Sequence, residues 1–134
     1  MTISERYDGT QSMLSRMGAT GCYFLSLCSI AEEYTGRNID IMGAAKDCLR
    51  KKLIQRDFFV MNPCEVLRLL TGRVWTLDTK NELPTVVPDE MYTVEKWRYG
   101  DGTHFKRRFV DTIEGGANTV KKGFRECFYC FTVH

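Results

Sequence analysis

The chain lacks a long hydrophobic run, a secretion signal and any marked excess of charge. In its 134 residues no stretch approaches the roughly 18 apolar residues that a membrane span needs. The segment from Met1 to Gln11 is polar, with no basic start followed by an apolar run, so we expect no signal peptide and a cytoplasmic location. The formal net charge of +2 is too small to indicate nucleic-acid binding. We therefore expect neither a membrane nor a nucleic acid as a partner.

Cysteine is plentiful, with 6 in the chain. In a secreted protein an even number would indicate disulfides, but the cytosol keeps thiols reduced, so most of them are expected to be small buried hydrophobic residues. Cys127 and Cys130 form a lone C-x-x-C motif. Tetrahedral zinc usually takes four ligands from two such pairs, and residues three apart on a regular strand point to opposite faces. We therefore expect no metal and no cofactor.

Three helices are predicted in the first half of the chain. Apolar residues recur at helical spacing from Cys22 to Tyr34, on more than one side of the helix, and Gly36 follows as a stop. This pattern is typical of a central, mostly buried helix. Asp40 is a suitable N-cap for a second helix that runs to about residue 53. The third is expected over 62–71, with Pro at its first helical position.

Strands are predicted in the second half, where β-branched and aromatic residues dominate. The expected strands cover residues 74–77, 91–99, 103–113 and 124–133. Helices followed by an antiparallel sheet define an α+β fold, and residues 1–134 are long enough for a single domain.

The large aromatic residues are expected to form the core of this domain. They are Trp75, Trp97 and the phenylalanines at 58, 59, 105, 109, 124, 128 and 131. Trp97 and Tyr99 are also candidates to line a cleft, because they precede the turn that leads to His104.

Cys22 is the first candidate functional residue, because it stands at the start of the predicted central helix. Free backbone N–H groups and the helix dipole favour negative charge there, so a thiolate is stabilised. If a histidine from elsewhere in the fold reaches the sulfur, the two form a nucleophile and its base. The backbone N–H of Cys22 is also a natural oxyanion donor. Gln11 is the candidate for a second donor, because it is the only Gln or Asn upstream of Cys22.

His104 and Asp111 are the candidates for the base and its orienting acid. If residues 106–109 make a tight reversal, His104 and Asp111 become cross-strand partners, with Cβ atoms roughly 4.5–5.5 Å apart. The carboxylate would then accept a hydrogen bond from one imidazole nitrogen and leave the other facing the thiol. A continuous strand would instead separate the two residues by roughly 20 Å. The sequence leaves both geometries open, because the reversal contains no Gly, Asn or Asp.

These motifs resemble those of the papain-like cysteine peptidases. Gly21-Cys22 opening a buried helix, then His104-Phe105 and then Val110-Asp111-Thr112 look most like the branch that cleaves bacteriocin leaders after a double glycine. The stretch 114–123 also looks like an uncharacterised spirochaete and phage-associated family. The resemblance covers most of the chain through a few short motifs.

The resemblance implies a papain-like fold and a catalytic role for four residues. Cys22 would be the nucleophile, His104 the general base, Asp111 the orienting acid and Gln11 an oxyanion donor. The expected function is that of a cysteine hydrolase, a peptidase or amidase that attacks a peptide or other amide carbonyl. Its partner would be a peptide or protein substrate, and Cys22 would then react with iodoacetamide much faster than the other five thiols.

The alternative is a catalytically inactive papain-like module that binds a peptide or protein partner. Two departures from the family pattern favour it: the short segment between His104 and Asp111, and Tyr23 where a Gly or Ala usually follows the nucleophile.

Overall fold

A computed structural model describes residues 21–100, 102–107 and 123–134. Over these residues the chain forms three helices followed by a four-stranded antiparallel sheet, which is the α+β class that the sequence predicts.

Helix α1 spans Cys22–Thr35 and begins and ends where the sequence predicts. Gly36 closes it in the left-handed conformation, at φ 70°, and its N–H donates to the carbonyl of Glu32. Side chains on more than one side of the helix are buried, including Phe24, Ile30 and Ala31. The helix is therefore the central one, packed on several sides.

Helices α2, Ile41–Arg50, and α3, Pro63–Thr71, begin at the predicted caps. The carboxylate of Asp40 accepts the backbone N–H of Gly43, and the amide oxygen of Asn62 accepts that of Glu65. Such caps satisfy N–H groups that have no partner within the helix.

The four strands are β1, Trp75–Lys80; β2, Met91–Tyr99; β3, Gly102–Lys106; and β4, Phe124–Val133. Their order across the sheet is β1-β4-β2-β3, so the last strand in the chain lies between β1 and β2. The third predicted strand is described only as far as residue 107, so its continuation to 113 lies outside the described residues.

The helices pack on one face of the sheet. Phe24 and Leu27 of α1, Val66 of α3, and Val94 and Phe131 of the sheet are all fully buried in this core. Tyr34 of α1 adds edge-to-face ring contacts with Trp75 and Tyr92 of the sheet.

Arg107 fixes α1 against the edge of the sheet. Its guanidinium donates to the carbonyl of Thr93 at 3.0 Å, to the hydroxyl of Ser29 at 3.4 Å and to the carboxylate of Glu33 at 2.8 Å. The planar guanidinium can serve three acceptors at once, which a lysine in its place cannot do in the same geometry. The end of β3 and the body of α1 are thereby held together.

Candidate functional site

Cys22 is the first residue of α1, as the sequence predicts, and it lies at the wall of a groove between the helices and the sheet. Its side chain is 8% exposed. The hydroxyl of Ser26 donates to the Cys22 carbonyl at 2.8 Å, within the first turns of the helix. Gly21 precedes it without a side-chain cap, and the first turn of α1 has no acidic residue. The positive end of the helix dipole is therefore directed at the groove.

His104 lies on β3 with its side chain on the face of the sheet away from Cys22. Thr103 and Phe105 line the groove beside Cys22, and Arg107 reaches α1 on the same side. Because successive residues of a strand point to opposite faces, His104 points to the other face. There it is 5% exposed and lies opposite Trp97 in the register. The structure therefore brings Phe105, and not His104, to the groove.

Trp97 shares this second face with a buried carboxylate. Its indole N–H donates to Glu95 at 3.2 Å, and Glu95 is 4% exposed. The expected placement of Trp97 in the cleft is therefore wrong, again because of strand alternation. Tyr99 does line the groove, as expected, because at the last residue of β2 its ring lies over Gly102 rather than following the alternation.

Gln11 and Asp111, the other two predicted site residues, lie outside the described residues. Residues 108 and 109 of the predicted reversal also lie outside them. The roles proposed for these residues stay predictions.

The groove has a volume of about 740 Å³, within the range typical of ligand sites. Its described lining is mostly apolar and aromatic, and comes from the start of α1, the turn before α3 and all four strands. The lining residues are Cys22, Tyr23, Phe58, Phe59, Val60, Pro63, Leu77, Thr79, Lys96, Tyr99, Thr103, Phe105 and Tyr129.

Large apolar side chains remain exposed where they meet this groove. Phe59 is 61% exposed, and Leu77 and Tyr99 also remain exposed. Phe59 lies in the turn before α3, Leu77 on the edge strand β1 and Tyr99 at the end of β2, yet all three line the groove. Exposed apolar residues that converge on one concavity indicate a binding site, whereas scattered ones need no explanation. The expectation that Phe59 belongs to the core is wrong.

The turn that carries Phe59 has an unusual backbone. The N–H of Phe58 donates to the carbonyl of Gln55 at 2.9 Å, and a β-bridge joins Ile54 to Val60. Phe58 has φ 65°, a left-handed conformation that bulky residues rarely adopt. Its ring is buried, with its centroid 5.8 Å from that of Phe24. This kink directs Phe58 into the core and leaves Phe59 at the groove.

Of the described residues that line the groove, Lys96 alone carries a formal charge. Its ammonium lies 3.3 Å from the carboxylate of Glu126, which Arg98 also contacts at 3.3 Å. Burial lowers the pKa of Lys96, but Tyr129 and Glu126 outweigh that effect and hold it above its ordinary value. Lys96 is therefore a permanent cation in the groove at neutral pH.

The thiols other than Cys22 are suppressed as nucleophiles. Burial raises the pKa of Cys28 to about 12 and that of Cys48 to about 11, and it raises the pKa of Cys64, Cys127 and Cys130 in the same direction. A raised pKa leaves less thiolate at neutral pH, so these five cysteines behave as small hydrophobic residues.

The C-x-x-C motif is divided between the two faces of the sheet. Cys127 pairs with Lys96, and Cys130 pairs with Thr93. Because the two cysteines are an odd number of positions apart on one strand, their side chains point to opposite faces of the sheet. Among the residues that the structure describes, no group of three or more His, Cys, Asp or Glu side chains could hold a metal ion. None of the described helices is long and apolar enough to cross a membrane.

Sequence reasoning missed Phe59, Leu77 and Lys96 as groove residues. For Lys96 a signal was present: it follows Tyr92 and Val94 at every second position of β2, so the alternation places it on the face that packs against the helices. A lysine at such an inward position marks either an ion pair or a ligand site.

Comparisons with protein-family models, with curated proteins and with solved structures find no significant match to this chain.

Proposed function

We propose that this protein is a binding module that holds a short apolar peptide segment in the groove beside Cys22. The observation that carries the proposal is the convergence of the exposed side chains Phe59, Leu77 and Tyr99 on that groove. Leaving them in water costs free energy that a bound apolar side chain would recover.

The groove matches a peptide in length. Its floor crosses all four strands, from Leu77 and Thr79 on β1, over Tyr129 on β4, to Phe105 on β3. Three interstrand spacings amount to about 14 Å. An extended peptide advances about 3.3 Å per residue, so the groove accommodates about four residues.

The edge of the sheet also favours a peptide over a compact small molecule. β1 pairs with β4 on one side, and within residues 21–100, 102–107 and 123–134 no strand pairs with its other side. Its residues from Thr76 to Thr79 are exposed. A peptide that lies across the strands can therefore extend past β1 without meeting a further described strand, and a compact molecule gains nothing from this open edge.

The position of His104 favours this module over the cysteine hydrolase. The hydrolase needs an imidazole at the Cys22 sulfur, and strand alternation directs His104 to the opposite face. A mostly apolar described lining to which His104 does not contribute supports binding rather than acyl transfer.

Replacement of Phe59 should weaken peptide binding. The probe is a panel of fluorescein-labelled hexapeptides with free C-termini and with Leu, Val or Phe at alternate positions, measured by fluorescence anisotropy. Burial of a phenylalanine side chain contributes about 1.5–3 kcal/mol, so we expect Phe59→Ala to weaken the tightest peptide at least about tenfold.

Phe124→Ala is the matched control, because Phe124 is also 61% exposed but does not line the groove. We expect the affinity of this variant for the tightest peptide to stay within about twofold of that of the unaltered protein. No binding by any peptide of the panel, or equal losses in the two variants, would overturn the proposal.

The reactivity of Cys22 distinguishes the module from the hydrolase. We expect its rate of alkylation by iodoacetamide, followed by mass spectrometry, to rise steadily between about pH 6 and pH 8, since only thiolate reacts. A thiolate paired with an imidazolium would give a rate that is high and nearly constant over this range. That plateau, lost in a His104→Ala variant, would establish the hydrolase and remove the module.

A further inference from the structure

We propose that the groove recognises the free C-terminal carboxylate of its peptide, through Lys96. This inference rests on the proposed function and specifies which end of a chain the groove takes.

The charge balance at Lys96 favours an anion. Glu126 is shared between Lys96 and Arg98, so these three described side chains carry one positive charge in excess. The other described residues that line the groove carry no formal charge. Burial also raises the pKa of Tyr23 well above its ordinary value, so that phenol stays neutral. Among the described residues, a bound anion would therefore meet one uncompensated cation and no opposing carboxylate in the lining.

Lys96 also retains donor capacity. An ammonium group has three N–H donors. The described partners of Lys96 are the carboxylate of Glu126 and the hydroxyl of Tyr129. One donor therefore remains for a ligand oxygen, and the side chain, 23% exposed, is sheltered enough for the interaction to be worth more than a surface ion pair.

The start of α1 adds to the same field. Cys22, its first residue, lines the groove, and the first turn of α1 holds no acidic residue, so the positive end of its dipole is not offset there. Pro63, the first residue of α3, also lines the groove, but the Asn62 cap and Glu65 in its first turn offset the dipole of that helix. Together with the apolar lining, these charges suit a ligand with apolar side chains that ends in a carboxylate.

A C-terminal carboxylate fits these features better than an acidic side chain does. An aspartate or glutamate within the segment would replace an apolar side chain in a groove of about four residues, whereas a terminal carboxylate adds its charge without displacing one. The predicted ligand is therefore the free end of a chain whose last residues are apolar.

The test compares two forms of one peptide. The tightest hexapeptide of the panel is made with a free C-terminal acid and with a C-terminal amide, and each is titrated by fluorescence anisotropy. We expect the acid to bind about tenfold more tightly than the amide, and we expect the difference to shrink with added salt.

Variants of Lys96 assign that difference to one side chain. Lys96→Met keeps the apolar stem and should bring the acid down to the affinity of the amide, while the affinity of the amide changes little. Lys96→Arg should retain the preference. Lys80→Met is the matched control, because Lys80 follows Thr79 on β1 and therefore points away from the groove, and it should leave the preference intact.

The outcomes separate the two proposals. Equal binding of acid and amide by the unaltered protein, with both lost in Phe59→Ala, overturns the recognition of the carboxylate and leaves the peptide groove standing. Tighter binding of the amide overturns it as well. If Lys96→Met still prefers the acid, Lys96 is not the residue that recognises the carboxylate. No binding of either form overturns the groove itself.

Discussion

Phe58→Ala should lower the free energy of unfolding by about 3–5 kcal/mol, the usual cost of deleting a fully buried phenylalanine ring. The ring is 1% exposed and packs against Phe24 in the core. The backbone at Phe58 has φ 65°, a conformation that costs an L-residue roughly 1–2 kcal/mol. The protein tolerates this strain because burial of the ring contributes more than the strain costs. Urea denaturation followed by circular dichroism measures the change.

Phe58→Gly separates the strain from the packing. It removes the same ring but also removes the penalty of the left-handed conformation, so we expect it to be about 1 kcal/mol more stable than Phe58→Ala. Equal stability of the two variants would show that the backbone is not strained at this position.

Lys52 provides the control for this comparison, because it has φ 60° and its side chain is exposed. The N–H of Leu53 donates to the carbonyl of Cys48 at 2.9 Å. This is the 6→1 hydrogen bond of a Schellman motif at the end of a helix, and glycine is the residue that such a motif favours at the position of Lys52. With no packing to lose, Lys52→Gly should raise the stability by about 0.5–1 kcal/mol.

The protein should lose about 3 kcal/mol of stability between about pH 8 and pH 10, because two buried thiols must stay protonated in the folded state. Burial raises the pKa of Cys28 to about 12 and that of Cys48 to about 11, from an ordinary value of 9.0. A group whose pKa is raised by folding stabilises the fold below its unfolded pKa, and this contribution is lost as the pH rises above that value. Each thiol then costs about 1.4 kcal/mol per pH unit until its folded pKa is reached.

Urea denaturation in reducing buffer across this pH range measures the loss. The double variant Cys28→Ala and Cys48→Ala should remove the share of the pH dependence that these two thiols contribute, whereas Cys64→Ala, at a half-buried position, should retain that share. A stability that stays constant up to about pH 10 in the unaltered protein would contradict the expected role of the two thiols.

The fold could be predicted to the extent that it is encoded locally. Helix starts and stops depend on residues only a few positions away, so short sequence patterns predict them. The side chains of Asp40 and Asn62 accept backbone N–H groups at two helix starts, and Gly36 and Gly72 end two helices in the left-handed conformation. The order of the strands is a different matter. No local signal indicates that β4 lies between β1 and β2, because this depends on contacts between distant parts of the chain.

The candidate site was predicted in part. Cys22 lies at the helix start, as expected, because helical periodicity locates that start. It also lies at a groove, which depends on the packing of the helices against the sheet. The orientation of the His104 side chain could not be predicted from the sequence. A shift of one residue in the register exchanges the two faces of a strand, and the register of β3 depends on its pairing with β2. The exposure of Phe59 could not be predicted either, because the sequence gives no sign of the left-handed backbone at Phe58 that turns these two adjacent rings in different directions.

The central place of β4 has a consequence for how the protein is made. On the ribosome the three helices and the β2–β3 hairpin emerge first, but within the described sheet β1 has no partner until residues 124–133 are synthesised. Until then the apolar side of α1 lacks Phe131, one of the side chains that cover it. The nascent chain therefore exposes apolar surface of α1 until β4 has been made, and such surface is where a chaperone would bind.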